Sequence, residues 1–183
     1  MKELFKNLKS YTYPLKTKYG YGYIINSYNK NKADRRKVRR YIKHYGFDIS
    51  ETWNLDTTIM QWLSDNVGGF FRECGSSDIW ADYDINGNEW SSYNKETLEL
   101  DSKRHTEYQY QLKQYLLNCS NKDYKKFVDF VIPRLKYLSQ HTNGYPANFT
   151  TFEKWGNALT TMINELPTRN VQLFIENFYA LWD

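Results

Sequence analysis

The sequence predicts a mainly α-helical (α+β) domain: a helical bundle of five or six helices with a small N-terminal β-ribbon and an inserted acidic β-hairpin. Three observations lead there. Apolar residues recur at helical spacing through most of the chain beyond residue 32. Asn86-Gly87 separates two alternating segments, a strong short hairpin signal because a type I′ turn takes positive φ at both positions. The length of 183 residues, 40% hydrophobic and 18% aromatic, suits one domain and is too short for two of ordinary size. The expected organisation is a single domain over 1–183, with a basic Tyr-rich arm and helix over 1–45 and a helical body over 46–183 that carries the hairpin at 78–93.

The elements follow in order. Tyr19, Tyr21 and Tyr23 have the period of two of a short strand, and Gly20 and Gly22 between them leave one face nearly bare. Residues 32–45 read as a basic amphipathic helix ended by Gly46: Val38, Tyr41, Ile42 and Tyr45 form one stripe, and Arg35, Arg36, Arg39, Arg40 and Lys43 cover the rest. A second helix is expected from near Ser50 or Thr52 through Trp53, Leu55, Ile59, Trp62, Leu63 and Val67, with Gly68-Gly69 ending or kinking it. After the hairpin, residues 95–118 form a long charged helix with Leu98, Tyr108, Leu112, Tyr115 and Leu116 inside. The next, over 121–140, contains Pro133, which is expected to bend or restart it. Asn143-Gly-Tyr-Pro146 is a turn, and Thr150-Thr-Phe-Glu153 has capping-box spacing before a helix with Trp155, Leu159, Met162 and Ile163. Pro167 then separates a last helix holding Val171, Phe174, Ile175, Phe178 and Leu181.

Charge is sorted along the chain. Residues 1–45 hold 13 Lys/Arg against Glu3 and Asp34, a surplus of +11; residues 46–183 hold 12 against 19 acids, −7, and together they give the net +4. Asp78, Asp82, Asp84 and Glu89 lie in the acidic stretch 73–101, where Lys95 is the one base. Such separation makes a bipolar field able to steer a charged partner. The alternative is that the acidic stretch folds back on the basic one within a monomer or across a dimer.

Several function classes find no support. No run approaches the roughly 20 apolar residues of a membrane span, so no membrane association is expected, and residues 1–10 alternate charge with apolar groups rather than forming a secretory core. Cys74 and Cys119 are too few for a disulfide scaffold and read as buried free thiols of a reducing cytosol. Aromatic content argues against disorder despite a mean hydropathy of −0.80. Asp82-x-Asp84-x-Asn86-Gly87 matches half of a calcium loop, but Tyr93 stands where a bidentate Glu belongs, and the hairpin explains the same residues. His44, His105 and His141 are scattered. Gly20-Tyr-Gly-Tyr-Ile-Ile lacks the paired tripeptides and the following Arg and Glu of a GIY-YIG nuclease. No nucleophile elbow, phosphate-binding glycine loop or H-E-x-x-H occurs, so no cofactor, no metal and no catalytic residue is expected.

The basic helix is the strongest candidate site. Arg-dense helices bind phosphate backbones, and nearby Tyr19 and Tyr21 suit stacking on unpaired bases. Two other readings stay open: a solvated face that keeps the protein soluble, and a surface that docks an acidic protein. Asp78, Asp82, Asp84 and Glu89 form a second candidate surface, able to imitate nucleic acid in a basic groove.

Tyr45-Gly-Phe-Asp48, Trp53-Asn-Leu-Asp56, Ile132-Pro-Arg-Leu-Lys136, Gly144-Tyr-Pro146 and Trp155-x3-Leu159-x2-Met162-Ile163 resemble a recurring set of tailed-bacteriophage proteins with W-[NS]-L-D, P-x-L-K, G-x-P and W-x3-L-x2-M-I motifs. The match covers 45–63 and 130–163, about a third of the chain. It implies a shared scaffold: Trp53 and Leu55 anchoring a helix in the core, Asp56 pairing with Arg134 or Lys136, and Trp155 and Met162 closing the other side. The Lys/Asn/Tyr-rich composition suits an A+T-rich phage genome. The expected function is a phage accessory protein in the host cytoplasm, resembling in kind an anti-CRISPR protein, that inhibits a host defence system by binding without catalysis. Its partner would be a host defence protein or ribonucleoprotein of the Cas type, with RNA or DNA involved. The alternative is a nucleic-acid-binding protein of phage replication or transcription. The aromatic surface also makes a homodimer plausible.

Overall fold

A computed structural model describes residues 13–17, 20–24, 32–73 and 95–182, and over these the protein is mainly helical. Tyr13–Thr17 (β1) and Gly20–Ile24 (β2) run antiparallel, Tyr13 opposite Ile24 and Thr17 opposite Gly20. Seven α-helices occur among the described residues: α1 (Lys32–Tyr45), α2 (Leu55–Asn66), α3 (Phe70–Glu73), α4 (Lys95–Asn118), α5 (Asn121–His141), α6 (Phe152–Glu165) and α7 (Gln172–Glu176). Five are long and two are single turns, where the sequence predicted five or six. The expected hairpin at 78–93 lies outside the described residues.

Local chemistry sets the boundaries. α1 is built from good helix formers and stops at Gly46, whose φ of 96° suits glycine and whose N–H closes on the Ile42 carbonyl at 3.0 Å. The second helix starts later than its apolar pattern suggests: Ile49–Thr52 is a separate 3-10 turn, and α2 begins at Leu55. Its first N–H groups are satisfied from a distance, because Leu55 and Asp56 both donate to the Leu181 carbonyl, at 2.8 and 3.4 Å. α4 and α5 meet at Ser120, whose hydroxyl caps α5 by accepting from the Asp123 N–H. Arg169, at φ 64°, covers the same corner: it donates to the carbonyls of Leu117 and Cys119 and lies over the Tyr124 ring. A cation there complements the exposed carbonyls that end α4.

Two expectations need correction. Of the bend or restart expected at Pro133, the restart does not occur: α5 continues as one helix to His141. Thr151, not Thr150, caps α6: its hydroxyl accepts from the Lys154 N–H at 3.2 Å, while the Thr150 hydroxyl receives the Lys154 ammonium. The cap side chain must reach the third helical N–H, and that fixes Thr151.

One apolar cluster joins α2 through α7. It includes Leu55, Ile59 and Leu63 of α2, Tyr108, Leu112 and Leu116 of α4, Phe127, Val131 and Leu135 of α5, Trp155, Leu159 and Met162 of α6, and Phe174, Phe178 and Leu181 at the C-terminal end. Of the inner faces read from periodicity, Tyr108, Leu112 and Leu116 of α4, Trp155, Leu159 and Met162 of α6 and all five residues of the last segment are buried; Tyr115 and Ile163 are half-buried, and the Leu98 side chain lies outside the described residues. α1 contributes nothing to this cluster. Val38 and Ile42 are its buried residues, α1 packs against the Ile49–Thr52 turn, and Phe47 beyond it meets Tyr137 of α5 edge-on at 5.9 Å. No helix among the described residues is long and apolar enough to cross a membrane.

Candidate functional site

α1 divides its surface cleanly. Val38 and Ile42 are buried and Tyr41 and Tyr45 half-buried, whereas Arg36, Lys37, Arg39, Arg40 and Lys43 are exposed. Positions 36, 39, 40 and 43 follow the i, i+3, i+4, i+7 rule, so four cations form one stripe roughly 10 Å long, opposite the buried face. The ion pairs among the described residues join Lys125 to Asp129, Lys126 to Asp123 and Arg134 to Glu51, and none involves this stripe. Like charges one turn apart, as at Arg36/Arg40 and Arg39/Lys43, each destabilise a helix by about 0.2–0.5 kcal/mol. An anion laid along the stripe relieves that repulsion.

The segment that follows α1 is tied down by buried polar and aromatic contacts. Past Gly46, Asp48 accepts from the Ser50 N–H at 3.2 Å and Glu51 accepts from the Asp48 N–H at 3.1 Å, a reciprocal capping box. The other Glu51 oxygen takes Nε of Arg134 at 2.9 Å together with Nη2, and Nη1 donates to the Phe130 carbonyl at 2.6 Å. Both side chains are buried. Burial pushes the Glu51 carboxyl above its ordinary range against the pull of the Arg134 charge. The guanidinium is sandwiched by rings, 3.7 Å from the Phe130 centroid and 4.8 Å from that of Phe47. A ladder of rings runs beside it: Tyr41 to Tyr45 at 6.3 Å, Tyr45 to Tyr137 edge-on at 5.0 Å, and Tyr137 stacked on His141 at 4.0 Å. The turn that follows α1 is thus tied to α5 by one satisfied ion pair, and α1 itself meets α5 through the Tyr45–Tyr137 contact, outside the main core.

Two residues of the W-N-L-D segment behave differently from the scaffold reading. Trp53 is 61% exposed, so Leu55 alone anchors that segment. Asp56 does not pair with Arg134, which Glu51 occupies; its Oδ1 accepts from the Thr57 N–H at 2.7 Å. Burial pushes the Asp56 carboxyl up to about 6, with the Thr57 hydrogen bonds opposing.

Among the predicted site residues, the structure brings Arg36, Arg39, Arg40 and Lys43 together. Arg35 belongs to α1 and Tyr21 to β2, and β1 lies against α1; the side chains of Arg35 and Tyr21, all of Tyr19, and Asp78, Asp82, Asp84 and Glu89 lie outside the described residues, as does the Asp82–Gly87 calcium-loop half-match. Cys119 is a free, half-buried thiol whose pKa burial raises, and Cys74 lies outside. His44, His105 and His141 each sit against an aromatic ring, and no group of three or more His, Cys, Asp or Glu among the described residues is placed to hold a metal. Sequence reasoning missed Glu51, although the Asp48-x-x-Glu51 spacing signals a capping box. Comparison with protein-family models, with curated proteins and with solved structures finds no match.

Proposed function

We propose that the chain is a phage accessory protein that acts by occupancy, gripping the nucleic-acid component of a host defence ribonucleoprotein with α1, in the manner of an anti-CRISPR protein. The observation that carries this reading is the exposed stripe of Arg36, Arg39, Arg40 and Lys43, which has no acidic partner among the described ion pairs. Four cations over roughly 10 Å of helix match a short run of phosphates, and guanidinium forks bind phosphate oxygens in pairs. In this reading the body is a bundle, the Tyr-rich ribbon lies beside the stripe, and the acidic residues 78–89 form a second surface able to meet a basic groove.

The runner-up, a phage replication or transcription protein that binds nucleic acid alone, uses the same stripe. Capture from infected host lysate separates the two. The leading reading predicts recovery of an RNA-guided effector with its guide RNA, lost when Arg36, Arg39 and Arg40 are replaced by Ala. Release of all captured protein by nuclease favours the runner-up. Capture that is unchanged by the three substitutions overturns both.

A further inference from the structure

The exposed surface of α1 is wider than the stripe. Between residues 36 and 45 the exposed side chains are Arg36, Lys37, Arg39, Arg40, Lys43 and His44, with no acid and no apolar residue among them. At about 100° per residue, Arg39 marks one edge of this arc and Lys37 the other, roughly 160° apart around the helix. The two therefore point almost oppositely, although only about 3 Å separates them along the axis. The Lys37 ammonium lies 5.8 Å from the Tyr41 ring centroid, at the border with the half-buried face and on the side away from Arg39. Val38 and Ile42, buried on the opposite side of the helix, fix that rotation.

Two edges of charge facing opposite ways need two rows of phosphate. A lone strand offers one row: it follows the stripe of Arg36, Arg39, Arg40 and Lys43 and leaves Lys37 without a phosphate. A helix with its side chains is about 10–12 Å across, so charges at the two edges stand about that far apart. The major groove of B-form DNA is about 12 Å wide and admits a single helix between two phosphate walls. The major groove of an A-form RNA duplex is deep and narrow and shuts such a helix out. An exposed arc of nearly half the circumference, cationic at both edges and with no acid to be repelled by either wall, has the shape and charge of the first of these ligands.

We propose that the nucleic acid gripped by α1 is double-stranded DNA, with the helix in the major groove, Arg39 and Lys43 against one phosphate wall and Lys37 against the other. The inference rests on the α1 reading and names its substrate class. Lys37 decides it, because this residue lies outside the stripe on which that reading stands. The test measures binding of a labelled DNA duplex of about 20 base pairs, of one of its strands and of the RNA duplex of the same sequence, with polyglutamate as a competitor. The variants are Lys37→Gln, which keeps much of the side-chain stem at an exposed position, Lys37→Arg, and the replacement of Arg36, Arg39 and Arg40 by Ala.

The wild type is expected to bind duplex DNA at least about 10-fold more tightly than the single strand or the RNA duplex. Lys37→Gln loses about 3- to 10-fold on duplex DNA at about 0.1 M salt and lowers the salt slope there by about 1, while single-strand affinity changes less than about twofold. Lys37→Arg retains duplex binding. A single strand or RNA duplex bound as tightly as duplex DNA overturns the proposal, as does a Lys37→Gln variant that loses nothing on duplex DNA or loses equally on both. If replacing Arg36, Arg39 and Arg40 still weakens binding in those cases, the α1 reading stands without it. A wild type that binds none of the nucleic acids, or from which polyglutamate displaces DNA as well as unlabelled DNA does, removes both proposals together.

Discussion

The α2–α7 body and α1 are held by different forces. The body buries one continuous apolar cluster spread over six helices, whereas α1 buries Val38 and Ile42 outside that cluster and meets α5 through the Tyr45–Tyr137 contact, and the segment after it is tied to α5 by Phe47 and the Glu51–Arg134 pair. The arginines show the same division. Arg134 is buried, paired and sandwiched; Arg36, Arg39 and Arg40 are exposed on a helix whose like charges repel. An arginine of the first kind is part of the fold, and removing it leaves a buried carboxylate uncompensated. Arginines of the second kind cost the fold little or slightly weaken it, and the proposed function reads their concentration on one face as a binding feature.

The largest way to break this contrast is at the support. Arg134→Met or Glu51→Gln alone lowers stability by about 3–5 kcal/mol in urea unfolding, because the remaining partner stays buried without its counter-charge. The double replacement Glu51→Leu with Arg134→Met recovers most of that loss. A single variant as stable as the wild type would show that the pair does not hold the Ile49–Thr52 turn against α5.

Next in size is a pH effect confined to the body. Asp56 has an ordinary carboxyl value of 3.8 that burial raises to about 6, so the folded state holds the proton more tightly than the unfolded state. Its contribution is fully present below pH 3.8 and is lost as pH rises through about 6. Asp56→Asn, neutral throughout, removes this slope and stabilises the protein at neutral pH by up to roughly 3 kcal/mol. Urea midpoints across that pH range check it, and a variant with the wild-type pH profile contradicts it.

Smaller still, Thr151→Ala costs about 1 kcal/mol through the lost cap of α6. Replacing Arg36, Arg39 and Arg40 by Ala changes stability by no more than about 0.5 kcal/mol in either direction. The last value sharpens the comparison most: a large loss would place the stripe among the supports of the fold.

How much was legible in the sequence follows the range of the interactions. α1 and its end were legible because a charged face, an apolar stripe and Gly46 are local signals. The buried Tyr108, Leu112 and Leu116 of α4 and Trp155, Leu159 and Met162 of α6 were legible from spacing alone. The choice of Glu51 over Asp56 as the partner of Arg134 was not, because it depends on an 83-residue separation closed by packing. Trp53 illustrates a limit of periodicity: it fits the apolar pattern of α2 yet stands before the helix begins and is exposed. The Trp182 ring lies against Gly144 and joins the C-terminal end to a mid-chain loop, and no spacing rule reports such a contact. The positive stripe was visible as composition, but its separation from the stabilising core required the packing of Val38, Ile42 and Phe47 to be seen.

The central claim is that the outward face of α1 binds a phosphate backbone without helping to hold the fold. It is tested most directly by the slope of log Kd against log salt for oligo(dT), taken side by side on the wild type and the variant lacking Arg36, Arg39 and Arg40. Four phosphate contacts predict a wild-type slope of magnitude about 3, falling to about 1 in the variant. Equal slopes in the two proteins, or binding insensitive to salt, would contradict it.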